Sequence, residues 1–198
     1  KLNRKRTNCL GTEADKVIQK YLCNDFPISV DSSGNITQSK EAVLFFNSVN
    51  SIIKIIKKNK LLPEQCNIIC ADDEYNKNKI RKKLGKTFSI GKVPLEGEEN
   101  KMFTFCTSTT YIGADFHSKC ASTFIFSDPN LQCLALDISL DLPQIAGRQR
   151  DRDNPFKNNI TIFYKTTRGE NLESREQFDE IQQKRREQSV DILRINDS

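Results

Sequence analysis

Short unbroken apolar runs punctuate this chain, and between them polar and apolar positions recur with a helical period. Ala42-Val-Leu-Phe-Phe46 is continuous, as a strand buried on both faces must be. Asn47-Ser48 then offers a cap for a helix whose Val49, Ile52, Ile53, Ile55 and Ile56 lie at helical spacing. Lys54, Lys57, Lys58 and Lys60 occupy its other side and its end, where cations suit the dipole. Cys66–Cys70 predicts a second strand, and residues 74–84 a second helix closed by Gly85. Beyond a polar loop over 91–100 come strands at 102–106 and 122–126. A helix opening at Asp141 and Pro143 carries Gln144 and the arginines after it, and 159–164 is a last strand. Cys133–Leu136 fits either a strand or a buried loop. Strands and helices alternating in this way predict an α/β fold with a mostly parallel sheet.

The two ends are less regular. Glu13–Cys23 carries a short helical stripe of Val17, Ile18, Tyr21 and Leu22, and Asp31–Asn35 is turn chemistry. Residues 1–39 therefore read as a lead-in segment. From Glu170 onward, within a C-terminal segment 166–198, the chain is highly charged, with only Leu172, Phe178, Ile181, Val190 and Leu193 as an apolar stripe. That pattern predicts a helix that docks weakly or links to a further domain.

Bulk properties narrow the class. No apolar run approaches the length needed to cross a bilayer, so no membrane partner is expected. Lys1–Arg6 has neither an initiator Met nor the apolar core of a signal peptide, which leads us to expect a fragment of a longer intracellular, cytoplasmic protein. The seven cysteines are an odd number, and most lie in or beside apolar segments, where Cys behaves as a small hydrophobe. Neither Cys66 with Cys70 nor His117 with Cys120 makes the paired clusters of a zinc site, so no metal is expected. The net charge of +5 is modest but uneven: Lys77–Lys92 holds seven basic residues and no acid. Such a stretch either meets phosphates or forms a solvated helix face.

Two segments imitate nucleotide chemistry. Leu84-Gly85-Lys86-Thr87 ends like a phosphate loop, but position 80 is Ile where that loop needs Gly, and the helix precedes the glycine instead of following it. Asn67–Glu74 resembles an apolar strand ending in Mg²⁺-binding acids. With no phosphate loop upstream, its acids read as the charged start of a helix.

The stretch from Thr107 to Arg152 carries more. Thr107, Gly113 and Asp115 follow a strand in the pattern Thr, five residues, Gly, one residue, Asp. Gln144, Gly147 and Arg148 then give Gln, two residues, Gly-Arg, with Arg150 and Arg152 flanking Asp151. In this order they resemble motifs V and VI of superfamily-two helicases, and Ala42–Ser48 resembles motif IV. The resemblance spans about Lys40 to Tyr164. It implies that 40–165 is a second RecA-like domain, three-layered, with residues 1–39 and 166–198 outside it.

The resemblance also implies a division of labour. Asn47, Ser48, Thr107, Ser108, Thr109 and Thr110 would contact the backbone of DNA or RNA. Gly113, Asp115 and Gly147 would lie at the nucleotide cleft. Arg148 would reach the γ-phosphate, Gln144 would help position water or phosphate, and either Arg150 or Arg152 would be the second arginine. ATP and Mg²⁺ would be held mainly by a missing N-terminal RecA-like domain, so the chain alone is expected to hydrolyse nothing. The rival expectation is a non-catalytic α/β module that binds nucleic acid or protein through its basic Lys77–Lys92 face. A free-standing enzyme built on Cys106 or His117 finds no supporting arrangement in the sequence.

Overall fold

Side chains of β4 (Glu41–Phe45) leave the sheet in alternating directions, and both directions are apolar. Ala42, Leu44 and the following Phe46 enter one core cluster, while Val43 and Phe45 enter another on the opposite face. The computed structural model describes residues 1–110, 114–131, 134–136 and 140–166. Their helices are α1 (Leu10–Leu22), α2 (Val49–Lys58), α3 (Glu74–Leu84) and α4 (Asp141–Ala146). The other strands are β1 (Leu2–Arg6), β2 (Ile28–Val30), β3 (Ile36–Gln38), β5 (Cys66–Ile69), β6 (Phe103–Cys106), β7 (Ala121–Ser127) and β8 (Ile160–Tyr164).

Six strands form one sheet in the order β1-β8-β7-β4-β6-β5, and every pairing in it is parallel. Residues of α1, α2 and α3 pack in one core cluster, and α4 with the segment around Phe116 packs in the other. The result is the three-layer α/β arrangement expected, consistent with a RecA-like fold. Lys1–Thr166 form one unit, so residues 1–39 are built into it: β1 pairs in parallel with β8, and α1 buries Leu10, Ala14, Val17, Ile18 and Tyr21. The helix expected from Glu170 onward lies outside the described residues.

Local chemistry sets the element ends. Ser48 accepts the Ser51 N–H at 3.3 Å to cap α2, and Asp73 accepts the Asn76 N–H at 2.7 Å to cap α3. Gly85 ends α3 with φ 108°, a conformation that favours glycine, so the Gly85-Lys86-Thr87 triplet indeed follows a helix. The core beneath α1 is partly polar: the Tyr21 hydroxyl lies 2.9 Å from Ser39 Oγ, which donates to Ser122 Oγ at 2.7 Å. Burial pushes the Tyr21 phenol up to about 12, keeping it neutral within this network. Phe46, Phe126 and Phe163 stack across β4, β7 and β8, with ring centroids 4.1 and 5.1 Å apart.

The β5 edge is finished by Ile90, which bridges to Ile68, and by Gly91, whose N–H donates to Ile68 O at 2.8 Å. A Cβ on Gly91 would sit 1.8 Å from Asn67 Oδ1. Gly91→Ala must therefore displace an amide that donates to Lys92 O at 2.8 Å. We expect a loss of roughly 2 kcal/mol, the scale of a buried hydrogen bond left unmade. It would be read as a lower urea midpoint at unchanged slope; a wild-type midpoint would mean Asn67 swings away freely.

Candidate functional site

In a parallel sheet all strands end on one edge, and the loops that follow them gather there. Three such loops come from the neighbours β4, β6 and β5. Thr107 N–H donates to Ile69 O at 3.1 Å, and Ser108 N–H donates to Asn47 Oδ1 at 2.9 Å, so the three strand ends are tied together. Residues 108–110 make one turn of 3₁₀ helix. Of the six backbone-contact candidates, Ser108 and Thr109 are exposed and Asn47 and Ser48 are half-buried. Thr107 and Thr110 are buried, and Thr110 donates its hydroxyl to Thr107 O at 2.8 Å. Their side chains shape the loop, leaving Ser108, Thr109 and the rims of Asn47 and Ser48 to face outward.

A second cluster forms around Asp115. The chain leaving Ala114 runs alongside the chain leaving α4: Phe116 N–H donates to Arg148 O at 2.8 Å, and Arg150 N–H donates to Phe116 O at 2.9 Å. This short parallel bridge, Phe116 with Gln149, aligns Asp115 with the arginines. Arg150 Nε donates to Asp115 Oδ1 at 2.8 Å, and Arg148 Nη1 lies 3.4 Å from the same oxygen. Arg148 Nε also donates to Gln144 O at 3.1 Å. The Arg150 hydrogen bond, with the charges of Arg150 and Arg148, holds the Asp115 carboxyl below its ordinary value.

One expectation about this region is corrected. The arginines do not ride on α4, which stops at Ala146 with Gly147 as its C-cap. Beyond it the backbone pairs with residue 116, so Arg148 and Arg150 flank Gln149 on an extended segment, and their acidic partner is Asp115. Arg152 is exposed and makes no ion pair among the described residues; its carbonyl accepts from Lys157 Nζ at 2.9 Å. Gly147 has φ −82°, and a Cβ there would meet only ordinary contacts, so the fold itself does not call for glycine. Gln144 is half-buried, and Gly113 lies outside the described residues.

Two residues that the sequence pattern did not single out belong to this end of the molecule. Gln149 is 7% exposed, and neither its amide nitrogen nor its amide oxygen has a hydrogen-bond partner among the described residues. Asp128, just past β7, is buried and pairs with Lys165 Nζ at 2.8 Å. Burial works to raise its carboxyl, but Lys165 and Asn130 outweigh that and hold it below its ordinary value. Ser127-Asp128-Pro129 looks like any turn in sequence, and a Gln between arginines looks like surface.

The donor set of the Asp115 cluster suits an anion: two guanidinium groups share one carboxylate, and a phosphate would compete for them. The described residues contain no group of three His, Cys, Asp or Glu able to hold a metal ion. Cys106 offers no nucleophile, since it is fully buried and burial pushes its thiol up to about 12. Among the described residues no helix is long and apolar enough to cross a membrane. The chain matches no protein-family model, no curated protein and no solved structure.

Proposed function

We propose that this chain is the second RecA-like half of a superfamily-two helicase or translocase, an ATPase driven along DNA or RNA. The observation that supports it best is the convergence on one carboxylate of Arg148 and Arg150, 33 and 35 residues further along the chain, beside a parallel sheet. In that role the arginines leave Asp115 for the γ-phosphate and neutralise charge on the transferring phosphoryl group with directed hydrogen bonds. Arg150 is better placed than Arg152 to be the second arginine, because it already shares the Asp115 oxygen with Arg148. Gly147, which the fold does not require as glycine, leaves room for a phosphate to approach. Gln144 fixes the Arg148 guanidinium through its carbonyl.

Mg²⁺ and the phosphate loop belong, in this reading, to the other half of the enzyme. An intracellular location follows from the use of ATP and nucleic acid. The alternative, a binding module acting through α3, draws on the exposed Arg81, Lys82, Lys83 and Lys86. ATP hydrolysis separates the two. The chain alone should be silent, while a protein containing it with its ATP-holding half should hydrolyse ATP faster when single-stranded DNA or RNA is added. A parent with no stimulated ATPase would leave the binding module as the better reading.

A further inference from the structure

Tyr75 stands 70% exposed in the first turn of α3, directly after the end of β5. Lys79, one helical turn on, places Nζ 4.3 Å from the centre of its ring. An ammonium over an aromatic face is attracted by the ring's quadrupole, so one face is held by a cation and most of the ring stays open. The position is as informative as the exposure. β5 adjoins β6, and β6 adjoins β4, so the outer two of these strands lie about 10 Å apart at ordinary strand spacing. Tyr75 therefore follows the same sheet edge as Ser108, Thr109 and Ser48, at its β5 end.

The acids around it are held by neighbouring groups, and Lys77 and Lys79 offset two of their three charges. Asp73 is spent on the Asn76 N–H, so the helix amide there is already satisfied. Asp72 and Glu74 both pair with Lys77 Nζ, at 3.0 and 3.4 Å. Beyond them α3 carries Arg81, Lys82 and Lys83 exposed at its end. A row of hydroxyls and amides followed by an open aromatic ring with an ammonium is a combination that binds a single strand without reading its sequence.

Resting on the nucleic-acid reading above, we infer that Tyr75 is a base-stacking platform that extends the strand path from the Ser108–Thr109 loop across the end of β5. The ring takes one unpaired base by stacking, and Lys79 sits near the accompanying phosphate. The partner is thus a single strand with bases, not a bare polyanion.

The test uses labelled oligo-dT, oligo-U and an oligonucleotide of equal length with abasic sites, followed by anisotropy. The chain has no Trp and four Tyr, so stacking on Tyr75 also registers as quenching of tyrosine emission. The wild-type chain should bind a base-bearing strand about tenfold more tightly than the abasic one, the scale of one stacked base. Tyr75→Ala should erase that difference and most of the quenching, and Tyr75→Phe should keep the difference. The proposal holds whichever sugar is preferred. A Tyr75→Ala chain that retains the wild-type preference overturns it while leaving the nucleic-acid reading intact. A wild-type chain that binds none of the three strands overturns both.

Discussion

Replacing Arg148 with alanine in the protein that joins this chain to its ATP-holding half should lower nucleic-acid-stimulated ATP turnover by about a thousandfold or more, the range measured for arginine fingers. The fold should lose far less. Arg148 is half-buried, and its removal costs the Nε bond to Gln144 O, about 1 kcal/mol, while Asp115 keeps Arg150. Affinity for a single strand should stay within about twofold, since Ser108 and Thr109 lie on a separate loop. Arg148→Lys should not restore turnover, because an ammonium cannot hold the Gln144 carbonyl and a phosphate in one plane. Turnover and thermal midpoint measured side by side decide the matter. Intact turnover, or a loss of activity matched by an unfolded protein, would remove Arg148 from the chemistry and make its ion pair structural.

The largest stability effect is expected at Phe126. Its ring lies between Phe46 and Phe163, is 2% exposed, and joins three adjacent strands through one stack. Phe126→Ala removes both ring contacts and leaves a cavity that flanking strands cannot close, at roughly 4 kcal/mol. Against a domain stability of about 5–15 kcal/mol, that is enough to leave the chain partly unfolded near body temperature. Phe126→Leu, which fills much of the volume, should lose only about 1–2 kcal/mol. Urea unfolding of the two variants tests the ranking, and equal midpoints would show that filling the volume without the ring recovers nothing.

What the sequence revealed follows the strength of its patterns. β4, α2 and β5 were legible because each is buried on a consistent period, and α3, which buries only Ile80, because its ends are marked: Ser48, Asp73 and Gly85 are all where local chemistry puts them. β1 was not legible. It reads Leu-Asn-Arg-Lys-Arg, an edge strand whose basic side chains face water and look like a tail. β2 and β3 hid for a related reason: each has three residues, and Ile28, Val30 and Ile36 are exposed, so no buried face imposed a period. The site was legible as residue types but not as geometry. Asp115 and Arg148 stood out by spacing, yet the arginines fell on an extended segment because the Phe116 bridge overrode the helical pattern after Gly147. Gln149 had no signal at all, since nothing local distinguishes a buried amide from a solvated one.

The pairing of β1 with β8 also orders events in time. Leu2 lies opposite Ile160 and Arg6 opposite Tyr164, so within this unit the strand made before the others pairs with the one made after them. Its apolar share is small and its charges keep it soluble while it waits. Such long-range parallel pairing is slow to form. During synthesis the five strands from β4 onward can assemble around their own core, and β1 closes the sheet only once β8 has been made. Folding in this domain thus runs from the interior of the chain outward, with its earliest-made strand the last to dock.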